Sequence, residues 1–75
     1  MAENMDKRYA CLGEAIRSAR MDRELSQRDL AGMIGHSTSN SYIVRVEKGQ
    51  IKIGLEQLMK IADALGVRVD DLIDF

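Results

Sequence analysis

Residues 25–49 read LSQRDLAGMIGHSTSNSYIVRVEKG, and the fold follows from how this stretch divides. Ser26 followed three residues on by Asp29 is a capping-box-like start: the serine oxygen takes a free helix N–H, and the acid sits at the positive end of the helix dipole. A helix is therefore expected to begin at Ser26. Leu30, Ala31 and Ile34 give it an apolar face, and Gly35 can take the left-handed conformation that stops it. The hydroxyl- and amide-rich run 36–41 favours turns and caps. A second apolar stripe, Ile43 with Val46, follows that run and closes at Gly49. The segment thus predicts two short helices joined by a turn, meeting closely at Ala31, where a bulkier side chain would hold them apart.

Two short helices crossing tightly are the geometry of a helix-turn-helix. The ordered elements LSQxxLA, Gly35, the polar turn, Ile43, RVEKG (45–49) and LMKIADALGV (58–67) resemble the family of phage Cro and lambda-type repressors, the XRE-like regulators. The resemblance covers about residues 12–72. It implies an all-α, five-helix, lambda-repressor-like domain that binds double-stranded DNA as a sequence-specific transcription regulator. One departure concerns the turn. Gly35 to Ile43 is eight residues where the family usually has six, so two extra residues are expected to lengthen the turn at 36–38. Ile53 stands where many members have proline, and an aliphatic residue there resembles the restriction-modification controller proteins and some phage-type regulators.

Seventy-five residues, 45% of them hydrophobic, support one small core and one domain, with residues 1–7 as a flexible segment and 8–75 as the folded unit. A single cysteine cannot form an intramolecular disulfide, which fits a reducing cytoplasm. No apolar stretch approaches a membrane span, and MAENMDKR at the start lacks the apolar run of an export signal. The absence of proline and the abundance of Leu, Ile, Ala, Met, Glu and Arg favour helix over sheet. A net charge of −1 is low for a nucleic-acid binder, but it hides a gradient. Residues 36–54 carry Arg45, Lys48 and Lys52 against Glu47, whereas 55–75 carry Lys60 and Arg68 against Glu56, Asp63, Asp70, Asp71 and Asp74. A basic face is required only where the phosphate backbone is met.

In chain order, Leu12, Ala15, Ile16 and Ala19 predict a first amphipathic helix over 8–23. Gly13 inside it costs roughly 1 kcal/mol against alanine and marks a close helix contact. Arg17, Arg20 and Arg23 share one stripe, which reads most simply as solvated charge. After the linker QIKIG (50–54), Leu55, Leu58, Met59, Ile61, Ala62 and Leu65 form a fourth helix with Gly66 as its stop. Val67, Val69, Leu72, Ile73 and Phe75 follow, with Asp70 near the start of a short fifth helix. Such a helix is too short to stand without packing. Val69, Leu72, Ile73 and Phe75 are accordingly expected to form a homodimer face.

No catalytic or metal-binding chemistry is legible. Cys11 has no nearby base, and one histidine with one cysteine makes no metal-ligand spacing, so no cofactor and no metal are expected. The five methionines read as gap filling, and the glycines punctuate helices rather than cradle phosphates. For DNA, the resemblance places Ser39 at the cap of a recognition helix over 39–48, with Asn40, Ser41, Tyr42, Val44 and Arg45 toward base edges. Asn suits adenine, Arg suits guanine, and an apolar group suits a thymine methyl. Gln27 resembles the family glutamine that grips phosphate, and Arg28, Lys48 and Lys52 are expected beside it; protonated His36 could reach a phosphate. The resemblance further implies a structural salt bridge between Arg20 and Glu47. A rival expectation is a protein-interaction module or antitoxin of the same fold with weak or no operator binding, favoured by the acidic carboxyl half and the altered turn.

Overall fold

The computed structural model describes residues 6–35 and 40–73, and it contains five helices. Helix α1 spans Lys7–Asp22, one residue earlier at each end than the apolar spacing predicts, because Asp6 caps it: the Arg8 N–H donates to Asp6 Oδ1 at 2.8 Å. Its buried face is Leu12, Gly13, Ile16 and Arg20, the i, i+4, i+8 stripe with one glycine beside it. Helix α2, Gln27–Met33, opens with the expected box. Asp29 N–H donates to Ser26 Oγ and Ser26 N–H donates to Asp29 Oδ2, both at 2.9 Å. Gly35 follows it at a φ of 93°, the left-handed conformation read from the sequence.

Helix α3 spans Ser41–Glu47, and here the expected start is corrected. The cap residue is Asn40, not Ser39; the Asn40 carbonyl accepts from Val44 N–H at 3.1 Å and closes the first turn, while its side chain makes no capping bond. Ser39, His36 and the lengthened turn expected at 36–38 lie outside the described residues. Gly49, at φ 73°, ends α3 and lets Gln50 N–H reach back to the Arg45 carbonyl at 2.9 Å. In the linker, Ile51 and Ile53 turn toward the core and Lys52 turns out, so the alternation QIKIG has a packing cause.

Helix α4, Leu55–Leu65, stops at Gly66 in the left-handed region, with Val67 N–H on the Ala62 carbonyl at 3.0 Å. Arg23 adds a side-chain cap: its Nη1 donates to the Leu65 carbonyl at 3.1 Å and ties the end of α1 to the end of α4. Helix α5, Val69–Leu72, completes the set. Ile16, Leu30, Ile43, Ile61 and Leu65 are fully buried, one or more from each of the first four helices. Each such side chain contributes roughly 1.5–3 kcal/mol of burial, which makes this five-residue centre the principal glue of a 75-residue chain. Ala31 is buried in the core, and α2 packs against both α3 and α4. Among the described residues, no helix is long and apolar enough to cross a membrane.

Candidate nucleic-acid interface

Helix α3 divides cleanly by burial. Ile43, Val46 and Glu47 face inward, whereas Ser41, Arg45 and Lys48 are exposed and Asn40, Tyr42 and Val44 are half-buried. Residues 41, 44, 45 and 48 fall on one side of a helix, so a hydroxyl, an apolar branch, a guanidinium and an ammonium share the outward face. That set can meet base edges and phosphates together. Tyr42 stands apart: it packs partly against the core, and burial pushes its phenol above the ordinary value.

What fixes α3 in place is a buried polar knot. Arg20 of α1 donates from Nε to Glu47 Oε2 at 2.6 Å and from Nη2 to Glu47 Oε1 at 3.3 Å. Its Nη1 donates to the Leu25 carbonyl at 2.7 Å, just before α2 begins. Gln27, the first residue of α2, donates from Nε2 to Glu47 Oε1 at 3.1 Å. One carboxylate thus receives donors from two helices, and one guanidinium spans three elements. The side chains of Arg20 and Glu47 are 10% and 3% exposed, so neither charge could remain there without the other. Such a pair offers little net stability over apolar packing, but together with Gln27 it ties α3 to both α1 and α2.

Close approach of the backbones makes the knot possible. A Cβ on Gly13 would overlap the carbonyl oxygens of Val46 and Glu47, and one on Gly49 would sit 2.6 Å from the Ala10 Cα. The two glycines let α1 lie directly on the end of α3. An open groove of about 360 Å³ results, lined by Ala10, Glu14, Arg17, Gln27, Val44 and Lys48 together with Glu47.

The structure brings Arg20 and Glu47 together, and it gathers Gln27, Lys48 and Val44 at one groove. Arg28 and Lys52 are exposed at the start of α2 and in the linker. Sequence reasoning missed the bond from Gln27 to Glu47, the cap that Arg23 places on α4, and the position of Arg17 on the groove. The last two were legible only as spaced arginines, because solvated and engaged guanidinium groups share the same helical period. At the carboxyl end, Leu72 is 2% exposed in the chain's own core, which removes it from the expected dimer face. Its neighbours α1 and α4 already cover it. Val69 is half-buried, Ile73 is 41% exposed, and Phe75 lies outside the described residues. Among the described residues, no three His, Cys, Asp or Glu side chains gather in a way that could hold a metal ion.

The fold is similar to those of several solved structures. The restriction-modification controller protein C.AhdI from Aeromonas hydrophila is 33% identical, with a TM-score of 0.79 over 85% of this chain and 94% of its own. The clp gene regulator ClgR from Corynebacterium glutamicum is 29% identical, with a TM-score of 0.85 over 96% and 90%. A hypothetical transcription factor, NHTF, from Neisseria is 34% identical, with a TM-score of 0.80 over 91% and 75%. No curated protein matches the chain by sequence. A helix-turn-helix family model matches residues 16–72, from the first buried isoleucine of α1 to the last buried leucine of α5. The chain belongs to the helix-turn-helix family of DNA-binding transcription regulators, of the Cro and lambda-repressor type.

Proposed function

We propose that this protein is a cytoplasmic, homodimeric regulator that reads palindromic operator half-sites by seating α3 in the major groove. The observation that carries the reading is the outward face Ser41, Val44, Arg45 and Lys48 on a helix tied to α1 and α2 through Arg20, Glu47 and Gln27. Arg45, Asn40 and Ser41 take base edges, Val44 offers an apolar contact, and Tyr42 contributes from the half-buried flank. Gln27, Arg28, Lys48 and Lys52 hold the phosphate backbone. The similarity to C.AhdI, ClgR and NHTF, two of them regulators or controllers and the third a hypothetical transcription factor, supports the same role here.

Dimerisation supplies what a single short helix lacks. One recognition helix reads too few base pairs for useful selectivity, whereas two held a helical turn apart read both halves of a palindrome. Exposed Ile73 with half-buried Val69 is the apolar surface offered for a two-fold contact. The test compares variants on one bound duplex. Arg45→Ala or Asn40→Ala should cost roughly 1–3 kcal/mol and relax preference at one base pair, whereas Lys52→Ala should weaken all sequences alike. Unchanged affinity and preference in Arg45→Ala would remove α3 as the reading element.

A further inference from the structure

The groove between α1 and the end of α3 holds a cation that the regulator reading does not use. Ala10, Glu14 and Arg17 lie at i, i+4 and i+7, so α1 presents them on one side, and all three line the groove opposite Val44 and Lys48. Gln27 enters from α2. Arg17 is exposed and shares the groove with Lys48, where Gly13 and Gly49 allow α1 to lie on the backbone of α3.

The charges in the groove can be assigned one by one. Glu47 is part of the lining, but Arg20 neutralises it, and both its oxygens already hold donors. Arg17 and Lys48 then remain against Glu14, which leaves one positive charge in excess. A phosphodiester has the complementary chemistry: one negative charge and oxygens that only accept. A guanidinium can grip two such oxygens, while the ammonium supplies a point charge.

Building on the proposed DNA binding, we infer that this groove seats one backbone phosphate of the duplex, with Arg17 of α1 as its ligand and Glu14 as an opposing charge that limits its strength. The footprint on DNA then extends beyond the helix-turn-helix to the first helix. Glu14 keeps the subsite weak enough that affinity is not dominated by a contact blind to sequence.

The test uses the full chain on its selected duplex, with a set of duplexes in which single phosphates are replaced by neutral methylphosphonates. Arg17→Ala removes one contact per half-site and should reduce the magnitude of the salt slope of log affinity by about 1.8 for the dimer on both half-sites, so that the wild-type advantage shrinks about twelvefold between about 50 and 200 mM salt. One methylphosphonate per half-site that weakens the wild type should become silent in Arg17→Ala. Glu14→Gln should tighten binding and keep sequence preference. Lys60→Ala, on α4 and outside this groove, should leave the methylphosphonate pattern unaltered and so controls for net charge. A wild type that binds while Arg17→Ala changes neither slope nor pattern overturns the inference alone. A wild type that holds no duplex at low salt overturns the regulator reading and the inference with it. Inorganic phosphate that competes for the protein without any methylphosphonate effect assigns the groove to free anion and overturns the duplex-bound phosphate.

Discussion

Replacing Gly13 by alanine sets two effects of opposite sign against each other, and the structure decides which wins. In an isolated helix the substitution gains roughly 1 kcal/mol, since glycine forfeits more backbone entropy. In this protein the new Cβ would overlap the carbonyl oxygens of Val46 and Glu47 and lie 2.7 Å from the Glu47 carbonyl carbon. These are backbone atoms, so no rotamer change relieves the clash; α1 must move off α3. Overpacking of that kind costs roughly 1–3 kcal/mol, occasionally more. The same displacement stretches the 2.6 Å bond from Arg20 Nε to Glu47 Oε2, whose groups are buried and depend on each other. With both losses set against the propensity gain, Gly13→Ala should be about 2 kcal/mol less stable. For a domain of this size that lowers the midpoint by roughly 10 °C. Urea and thermal unfolding followed by circular dichroism measure it. A variant as stable as the wild type or more stable, with unmoved amide resonances in α3, would refute the close approach on which the interface geometry rests.

Arg20→Ala leaves the Glu47 carboxylate buried with only Gln27 as donor and should cost roughly 3–5 kcal/mol, whereas Arg20→Met with Glu47→Leu should be much milder; denaturant midpoints separate the two. Ser26→Ala removes the box that starts α2 and should cost about 1 kcal/mol by the same assay. Side-chain and backbone hydrogen bonds from Arg8 hold the Asp6 carboxyl down at about 2. A lowered folded-state value means that its contribution is complete above the usual 3.8 and is lost as pH falls through about 2; Asp6→Asn should flatten that part of the stability profile, and an unaltered acid limb would contradict it. Ile73→Asp should shift sedimentation toward the monomer mass, and unchanged sedimentation would leave the carboxyl-terminal dimer face unsupported.

Legibility in the sequence followed the locality of the signal. The Ser26–Asp29 box and the stops at Gly35, Gly49 and Gly66 are short-range and could be read directly, and the helical periods of α1 and α4 placed half of the buried core. The start of α3 was off by one residue because a run of small polar side chains contains several equivalent caps. Leu72 was assigned outward because Val69, Leu72 and Ile73 fit a core or a partner equally well in so short a helix; only the packing of α5 on α1 and α4 separates them. Gln27 was assigned to phosphate from its position, and its bond to Glu47 depends on the crossing of α2 and α3, which local pattern does not encode. Arg17 escaped for the same reason, since the groove it lines is formed by three helices.

Recovery of bound sites from a pool of random duplexes, followed by sequencing of the retained fraction, tests the central claim most directly. The account predicts an enriched palindrome whose half-site centres lie one helical turn apart, about 34–36 Å, with enrichment lost at one position in each half when Arg45 is replaced by alanine. No retained duplex even at low salt, or retention without any enriched sequence, would contradict a sequence-reading α3 and favour a protein-interaction module built on the same fold.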